Sequence, residues 1–247
     1  MEPVSQPCRD SDQPFWKLRG DDSIAFHDRI ASTWETNYQS RAFLSRVEAF
    51  DKALGSRDQR GMRWLDAGCG SGTLTRWLAG RGAEAIGVDG APEMVRAAET
   101  GAKQRDYAGG LGFQVADVGA LPFSDASFDA VLCSSVLEYA ENPASYLSEI
   151  ARVTKPGGTL LISVPNAESL VRMGLRVTFR VTNIIGKPRP EYMAHSRHQY
   201  TKEQFSTLLR ICGYTAEYSS AFGDGLPRWL RGRRWVGRLL LFRAVRL

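Results

Sequence analysis

The decamer Leu65-Asp66-Ala67-Gly68-Cys69-Gly70-Ser71-Gly72-Thr73-Leu74 reads as the end of a buried strand, a glycine turn and the start of a helix. Glycine adopts positive φ without a Cβ penalty and lets another group approach the backbone closely. Working outward, Met62 to Ala67 predicts a first strand and Thr73 to Ala79 a helix. Ala83 to Val88 predicts a second strand, followed by a helix from Pro92 to about Arg105. Gly112 to Ala116 and Phe128 to Cys133 read as the third and fourth strands. Asn142-Pro143 opens the next helix, with Asn as cap and Pro at the first helical position. Lys155-Pro156-Gly157-Gly158 is its stop signal, and Thr159 to Val164 is a fifth strand. A helix from Thr201 to Gly213 has a capping-box start, Thr201 to Gln204. Thr215 to Ser219 and Leu239 to Val245 complete a set of seven strands. Strands alternating with helices over short links predict an α/β chain with a doubly wound, mostly parallel sheet.

Two segments stand outside that alternation. From Ser23 to about Leu54 a helical apolar pattern runs through Ile24, Phe26, Ile30, Trp34, Phe43, Leu44, Val47 and Phe50, with a break near Asn37-Tyr38. The stretch Asn166 to Ser196 is too long for a simple connection, and long insertions in compact domains are commonly functional. The expected organisation is a flexible N-terminus over 1–22 and a single domain over 23–247. Within it, 23–58 form a helical lid, 166–200 an insertion after the fifth strand beside the acceptor, and 226–247 a basic C-terminal segment.

Composition sets further bounds. With 43% hydrophobic and 24% charged residues the chain reads as an ordinary water-soluble domain. The longest apolar runs fall far short of the roughly 20 residues of a bilayer crossing, and the polar start lacks a secretion signal. Cys8, Cys69, Cys133 and Cys212 are scattered, without metal-ligand or disulfide spacing, which fits a reducing, cytoplasmic setting and no metal. The net charge of +5 is unevenly placed: Glu168–Lys202 and Leu226–Leu247 together carry +12, and the rest −7.

The spacing in the turn is Gly-x-Gly-x-Gly, with Asp66 two residues before the first glycine. A dinucleotide fingerprint would read Gly-x-Gly-x-x-Gly and seat a pyrophosphate on the helix start. Asp66 would repel a pyrophosphate but suits a cationic amino group, which favours S-adenosylmethionine over a nicotinamide dinucleotide. The decamer resembles motif I of the class I S-adenosylmethionine-dependent methyltransferases. The likeness continues through Gly87-Val88-Asp89, Val115-Ala116-Asp117, Leu121-Pro122-Phe123, Phe128-Asp129-Ala130-Val131 and Lys155-Pro156-Gly157-Gly158. It implies the Rossmann-like methyltransferase fold with S-adenosylmethionine as cofactor. It further implies that Gly68, Gly70 and Gly72 line the methionine moiety, with Asp66 near its ammonium group. Asp89 would accept the ribose hydroxyls, Asp117 would meet the adenine amino group, and Ser134 or Ser135 would border the methyl donor. Cys69 reads as a small filler in the turn.

For the acceptor, the richest cluster is His195, His198 and Tyr200, at the end of the insertion, and these are the expected catalytic residues. A hydrogen-bonded loop that packs the insertion down explains them equally well. Glu138 and Glu141 read as a solvated helix start, with assistance to a hydroxyl or a divalent ion as the alternative. Arg172, Arg176 and Arg180 recur every four residues, one basic stripe on a helix. With Arg228-Trp229-Leu230-Arg231-Gly232-Arg233-Arg234-Trp235, that stripe suggests peripheral contact with an anionic membrane surface, against a lid with solvated arginines. The chain beyond residue 165 loosely resembles the O-methyltransferases of ubiquinone biosynthesis, although Tyr139 stands where many relatives read Leu-Glu-His. The expected activity is methyl transfer to oxygen or nitrogen of a small apolar or amphipathic acceptor. RNA or protein methylation through the basic segments and a non-catalytic cofactor-binding protein are the alternatives. Ser134-Ser135-Val136-Leu137 in place of Asn/Asp-Pro-Pro-aromatic argues against a nucleic-acid base.

Overall fold

The computed structural model describes residues 22–37, 41–104, 106–175, 196–223, 233 and 235–247. Seven strands form one sheet: β1 (Arg63–Ala67), β2 (Glu84–Asp89), β3 (Leu111–Val115), β4 (Phe128–Ser134), β5 (Thr154–Pro165), β6 (Tyr214–Phe222) and β7 (Leu239–Arg246). Their spatial order is β3-β2-β1-β4-β5-β7-β6. The first five are parallel, while β7 runs antiparallel to both β5 and β6. Six labelled helices accompany them: α1 (Asp22–Asn37), α2 (Arg41–Leu54), α3 (Thr73–Ala79), α4 (Pro92–Ala102), α5 (Pro143–Val153) and α6 (Lys202–Ile211).

The central strands are apolar on both sides because both faces are covered. Along β4, Ala130 and Leu132 belong to one core cluster, while Val131 and Cys133 belong to the other. Trp64 and Leu65 of β1, and Leu241 and Phe242 of β7, divide in the same way. That alternation is the two-residue period of a strand. Phe50, Leu74 and Leu78 from α2 and α3 build one layer, and Leu147, Ile150, Phe205 and Leu209 from α5 and α6 build the other.

The caps follow the sequence. Asn142 accepts from the backbone of Ala144 and Ser145 at the start of α5, and Thr201 with Gln204 forms a complete capping box on α6. The Lys155–Gly158 stretch differs from expectation. It belongs to β5, which begins at Thr154 opposite Phe128, with a register shift before Thr159 meets Ala130. Gly157 at φ 72° allows that irregularity.

Parallel strands expose their carboxyl ends on one edge, where ligands bind in such sheets. Helix α1 lies over that edge and packs on α4 through Ala31 against Ala91 and Met94. Asp28 fixes the docking: its Oδ1 accepts from the Glu93 N–H at the first turn of α4 (2.8 Å).

Candidate active site

A cavity of about 490 Å³ opens at the carboxyl ends of β1, β2, β3 and β4. The glycine turn forms its floor. Gly68, Gly70 and Gly72 have φ of 79°, 52° and 77°. The Gly68 and Cys69 N–H groups donate to the Val88 carbonyl, both at 2.8 Å, which closes the turn against β2. A Cβ on Gly68 would lie 2.2 Å from Val136 Cγ2, so the turn and the loop after β4 are packed with no room for a side chain. Gly68 and Gly70 line the cavity, but Gly72 does not. A Cβ on Gly72 would meet Phe113 at 2.6 Å and Ala98 at 2.8 Å, so this glycine serves close packing beneath the turn.

Asp89, at the end of β2, ties the turn to the next connection. Its Oδ2 accepts from the Gly70 N–H (2.8 Å) and its Oδ1 from the Ala91 N–H (2.9 Å). Burial raises its carboxyl above the ordinary range, opposed by those two hydrogen bonds. Each oxygen keeps a second lone pair for a donor in the cavity. Asp66 lines the same cavity with 1% exposure, and its Oδ2 accepts from Thr75 Oγ1 at 2.6 Å. Burial pushes its carboxyl up to about 7. Asp117 lines the far end, where its Oδ1 accepts from the Gly119 N–H (2.8 Å) and turns the chain after β3.

At the other end the walls come from distant parts of the chain. Ser134 closes β4, and its Oγ accepts from Arg46 Nη1 of α2 at 2.8 Å. Ser135 follows at φ 59°. Glu138 lines the cavity with 5% exposure, and its Oε2 is buried without a hydrogen-bond partner. Burial pushes its carboxyl up to about 7, moderated by a bond to its own backbone and by the charges of Arg46 and Arg172. The solvated helix start expected for Glu138 is therefore corrected: the residue is buried and turned into the site. Glu141, by contrast, is exposed and lies 4.0 Å from Arg197.

The lid contributes His27 and Trp34 to the wall. The Nδ1 of His27 donates to the Ser23 carbonyl at 2.7 Å, since a carbonyl can only accept. Its ring stands edge-on to Tyr139 (4.9 Å) and Trp34 (5.6 Å). Neither His27 nor Arg46 was singled out by sequence. Arg46 is 88 residues from the serine it meets, and no local spacing signals such a pairing.

The described members of the expected catalytic cluster lie elsewhere. His195 falls outside the described residues, as do Arg176, Arg180 and 228–232 of the basic segments. His198 and Tyr200 do not line the cavity. The ring Nε2 of His198 donates to the Ala140 carbonyl at 3.0 Å. Tyr200 stacks on His198 and packs against Phe205, and burial pushes its hydroxyl up to about 12. Their segment works as a strap. Arg197 N–H donates to the Glu138 carbonyl, Tyr200 N–H to Pro165, and Ala167 N–H to Tyr200. This placement shifts the acceptor-side expectation from His198 and Tyr200 to groups on the cavity wall. Among the described residues, no cluster of His, Cys, Asp and Glu suits a metal ion, and no helix is long and apolar enough to cross a membrane.

A doubly wound sheet with a glycine turn after β1 and an acid ending β2 defines a nucleoside-binding enzyme class. The comparisons identify which one. Residues 65–162 match the family described as Methyltransferase domain. The demethylmenaquinone methyltransferase of Tropheryma whipplei is 33% identical over 220 residues, 83% of this chain and 90% of the relative. A ubiquinone biosynthesis O-methyltransferase of Cereibacter sphaeroides is 37% identical over 106 residues, 43% of this chain and 42% of the relative. The chain spans about half the length of the ubiquinone-biosynthesis relatives it matches, 42% and 57% for two of them. In fold, it is similar to magnesium protoporphyrin IX methyltransferase from Synechocystis PCC 6803 with bound SAH. That match has a TM-score of 0.68 at 20% identity and covers 92% of this chain and 100% of the other. The chain belongs to the class I S-adenosylmethionine-dependent methyltransferases, whose cofactor is S-adenosylmethionine.

Proposed function

We propose that the protein methylates a hydroxyl oxygen of a small amphipathic acceptor. One observation carries this reading: the Asp89–Gly70 cradle and Glu138, whose buried Oε2 has no hydrogen-bond partner, line the same cavity. Relatives named ubiquinone biosynthesis O-methyltransferase and demethylmenaquinone methyltransferase support a small acceptor.

The residues present fit the cofactor. The spare lone pairs of Asp89 receive the ribose hydroxyls, and Asp117 faces the adenine end. Asp66 faces the ammonium group, while the backbone of Gly68 and Gly70 approaches the methionine chain where a Cβ would not fit. Arg46, held at Ser134 beside the turn, is the cation for the methionine carboxylate. S-adenosylmethionine supplies an electrophilic methyl group on a sulfonium. The protein's part is to position the acceptor, exclude water and take a proton. Glu138 would accept the proton of the acceptor hydroxyl, leaving the oxygen free to take the methyl group that the bound cofactor would supply. An amine needs no such base, which favours oxygen over nitrogen.

The test is calorimetric titration with S-adenosylhomocysteine. The wild type should bind, and Asp89→Ala, folded by circular dichroism, should lose about 100-fold in affinity, from hydrogen bonds to a charged group worth about 1.5–3 kcal/mol each. Unchanged affinity in the variant would refute the ribose assignment, and no binding to the wild type would refute the function.

A further inference from the structure

Helix α1 reaches from the end of β2 to the loop after β4. On the β2 side Ile24 packs on Gly90, where a Cβ would lie 3.1 Å from its Cδ1, and Asp28 takes the Glu93 N–H at the start of α4. Both contacts fall within four residues after Asp89, and His27 lies within electrostatic reach of that carboxylate. On the β4 side the His27 ring meets Tyr139, the residue after Glu138, at 4.9 Å. His27 therefore stands between the acid that ends β2 and the loop that carries Glu138.

The ring is half-buried and held on several sides. Its Nδ1 donates to the Ser23 carbonyl, and Phe26, Trp34 and Tyr139 all stand edge-on to it. With the hydrogen committed at Nδ1, the neutral ring presents a lone pair at Nε2. Among the described residues no protein group bonds that nitrogen, and His27 lines the cavity. His198 shows what a packing histidine looks like in the same fold: its Nε2 is spent on the Ala140 carbonyl, and it stands away from the cavity wall. His27 has its tautomer and orientation fixed by the lid, and its remaining nitrogen is left to a ligand.

The cofactor does not call on that nitrogen. Each ribose hydroxyl has one hydrogen, and the two spare lone pairs of Asp89 take both. In the same reading the ammonium group faces Asp66 and the adenine amino group faces Asp117. We infer that His27 Nε2 accepts a hydrogen bond from the methyl acceptor, so that the acceptor is an aromatic compound with two donors: the hydroxyl that faces Glu138 and a second hydroxyl or amino group held by His27. An aromatic frame keeps two such groups at a fixed separation and suits a wall that includes the Trp34 and Tyr139 rings. Two-point holding also decides which oxygen is methylated. The inference rests on the hydroxyl-methylation reading above and adds a second donor to the acceptor.

The test uses full-length protein saturated with S-adenosylhomocysteine and titrated by calorimetry with phenol, catechol, resorcinol and hydroquinone. At least one diol should bind about fivefold or more tightly than phenol, the gain from one additional hydrogen bond, and its substitution pattern gives the spacing of the two groups. His27→Phe keeps an aromatic ring beside Trp34 and Tyr139 but no nitrogen. It should erase the diol preference and leave S-adenosylhomocysteine affinity unchanged. His27→Gln, whose amide oxygen can accept, should restore part of the preference, which a packing role would not produce. Equal affinity for phenol and all three diols, no measurable binding of any of them, or a preference that survives His27→Phe would each overturn the inference. Loss of S-adenosylhomocysteine affinity in the phenylalanine variant would assign the nitrogen to the cofactor and overturn it too. Failure of S-adenosylhomocysteine to bind the wild type would instead overturn the underlying function, so the two failures are distinct. The diol-to-phenol ratio of the wild type is read without any variant, so a variant that does not fold leaves the inference open to refutation.

Discussion

At the β1–β3 end of the cavity the acidic and glycine wall groups belong to strand ends or to the turns that follow them, as with Asp66, Gly68, Gly70, Asp89 and Asp117. At the β4–β7 end the wall is assembled from Arg46 of α2, the loop after β4, Arg172 and the approach to β7. The first end is rigid because consecutive backbone groups satisfy one another, as when Gly68 and Cys69 share the Val88 carbonyl. The second depends on side chains and carbonyls that meet only after the chain has folded, as Arg46 meets Ser134. The contrast separates a scaffold that holds a constant cofactor from a wall that can differ with the acceptor.

The two halves touch where Gly68 packs on Val136, and the largest effect is expected there. Alanine at 68 would force a side chain into φ 79° and place its Cβ 2.2 Å from a stiff β-branched residue. Strain at a left-handed position and overpacking each cost about 1–3 kcal/mol. Gly68→Ala should therefore lower unfolding free energy by about 3 kcal/mol or more in urea titration. Adding Val136→Ala should recover the overpacking share but not the backbone share. A single variant as stable as the wild type would mean that the two halves are not packed against each other as described.

Glu138 sharpens the contrast by chemistry. Glu138→Gln should reduce turnover about 100-fold, at the low end for a lost general base, while S-adenosylhomocysteine binds as before. The pH dependence has a definite sign. Its folded-state carboxyl lies at about 7, above the ordinary 4.5, so folding favours the protonated form. The stability this provides is complete below about 4.5 and is lost as pH rises through about 7. Turnover should climb over that same upper range as the carboxylate becomes able to take a proton. The glutamine variant should lose the climb and part of the stability slope, with Asp66 and Asp89, both raised by burial, contributing to the rest. An unchanged pH–rate profile would exclude Glu138 as the proton acceptor.

The same contrast explains what could be read from the residues alone. Thr73–Ala79 forms the helix expected from its pattern, and the Asn142 and Thr201 caps are where their side-chain chemistry put them. These features depend on neighbours within four residues. The glycine turn and the strand ends around it were legible for that reason, their motifs having fixed local geometry. Gly72 shows the limit even there, since it has the backbone of its fellow glycines but faces Phe113 and Ala98 rather than the cavity. Glu138 was unreadable because exposure is set by what covers a residue. Arg197 and His198 bond its carbonyl from about 60 positions away. His27 reads in sequence as one polar residue within an amphipathic helix, and only the docking of Asp28 on α4 turns that helix so that the ring meets Tyr139.

The smallest expected effect falls on the strap. Two histidines and a tyrosine within six residues form the most conspicuous polar cluster late in the chain, yet His198 spends its Nε2 on the Ala140 carbonyl and Tyr200 packs against Phe205. Removing one such hydrogen bond costs about 1 kcal/mol. The backbone bonds of Tyr200 with Pro165 and Ala167 would still hold the two ends of the insertion together. His198→Ala should therefore lower unfolding free energy by about 1 kcal/mol and leave S-adenosylhomocysteine affinity unchanged. Turnover should stay within about threefold, because the loop it steadies also carries Glu138. A loss as large as that of Glu138→Gln, with stability intact, would return His198 to the chemistry. It would also mean that the 197–200 strap moves into the cavity when the acceptor binds.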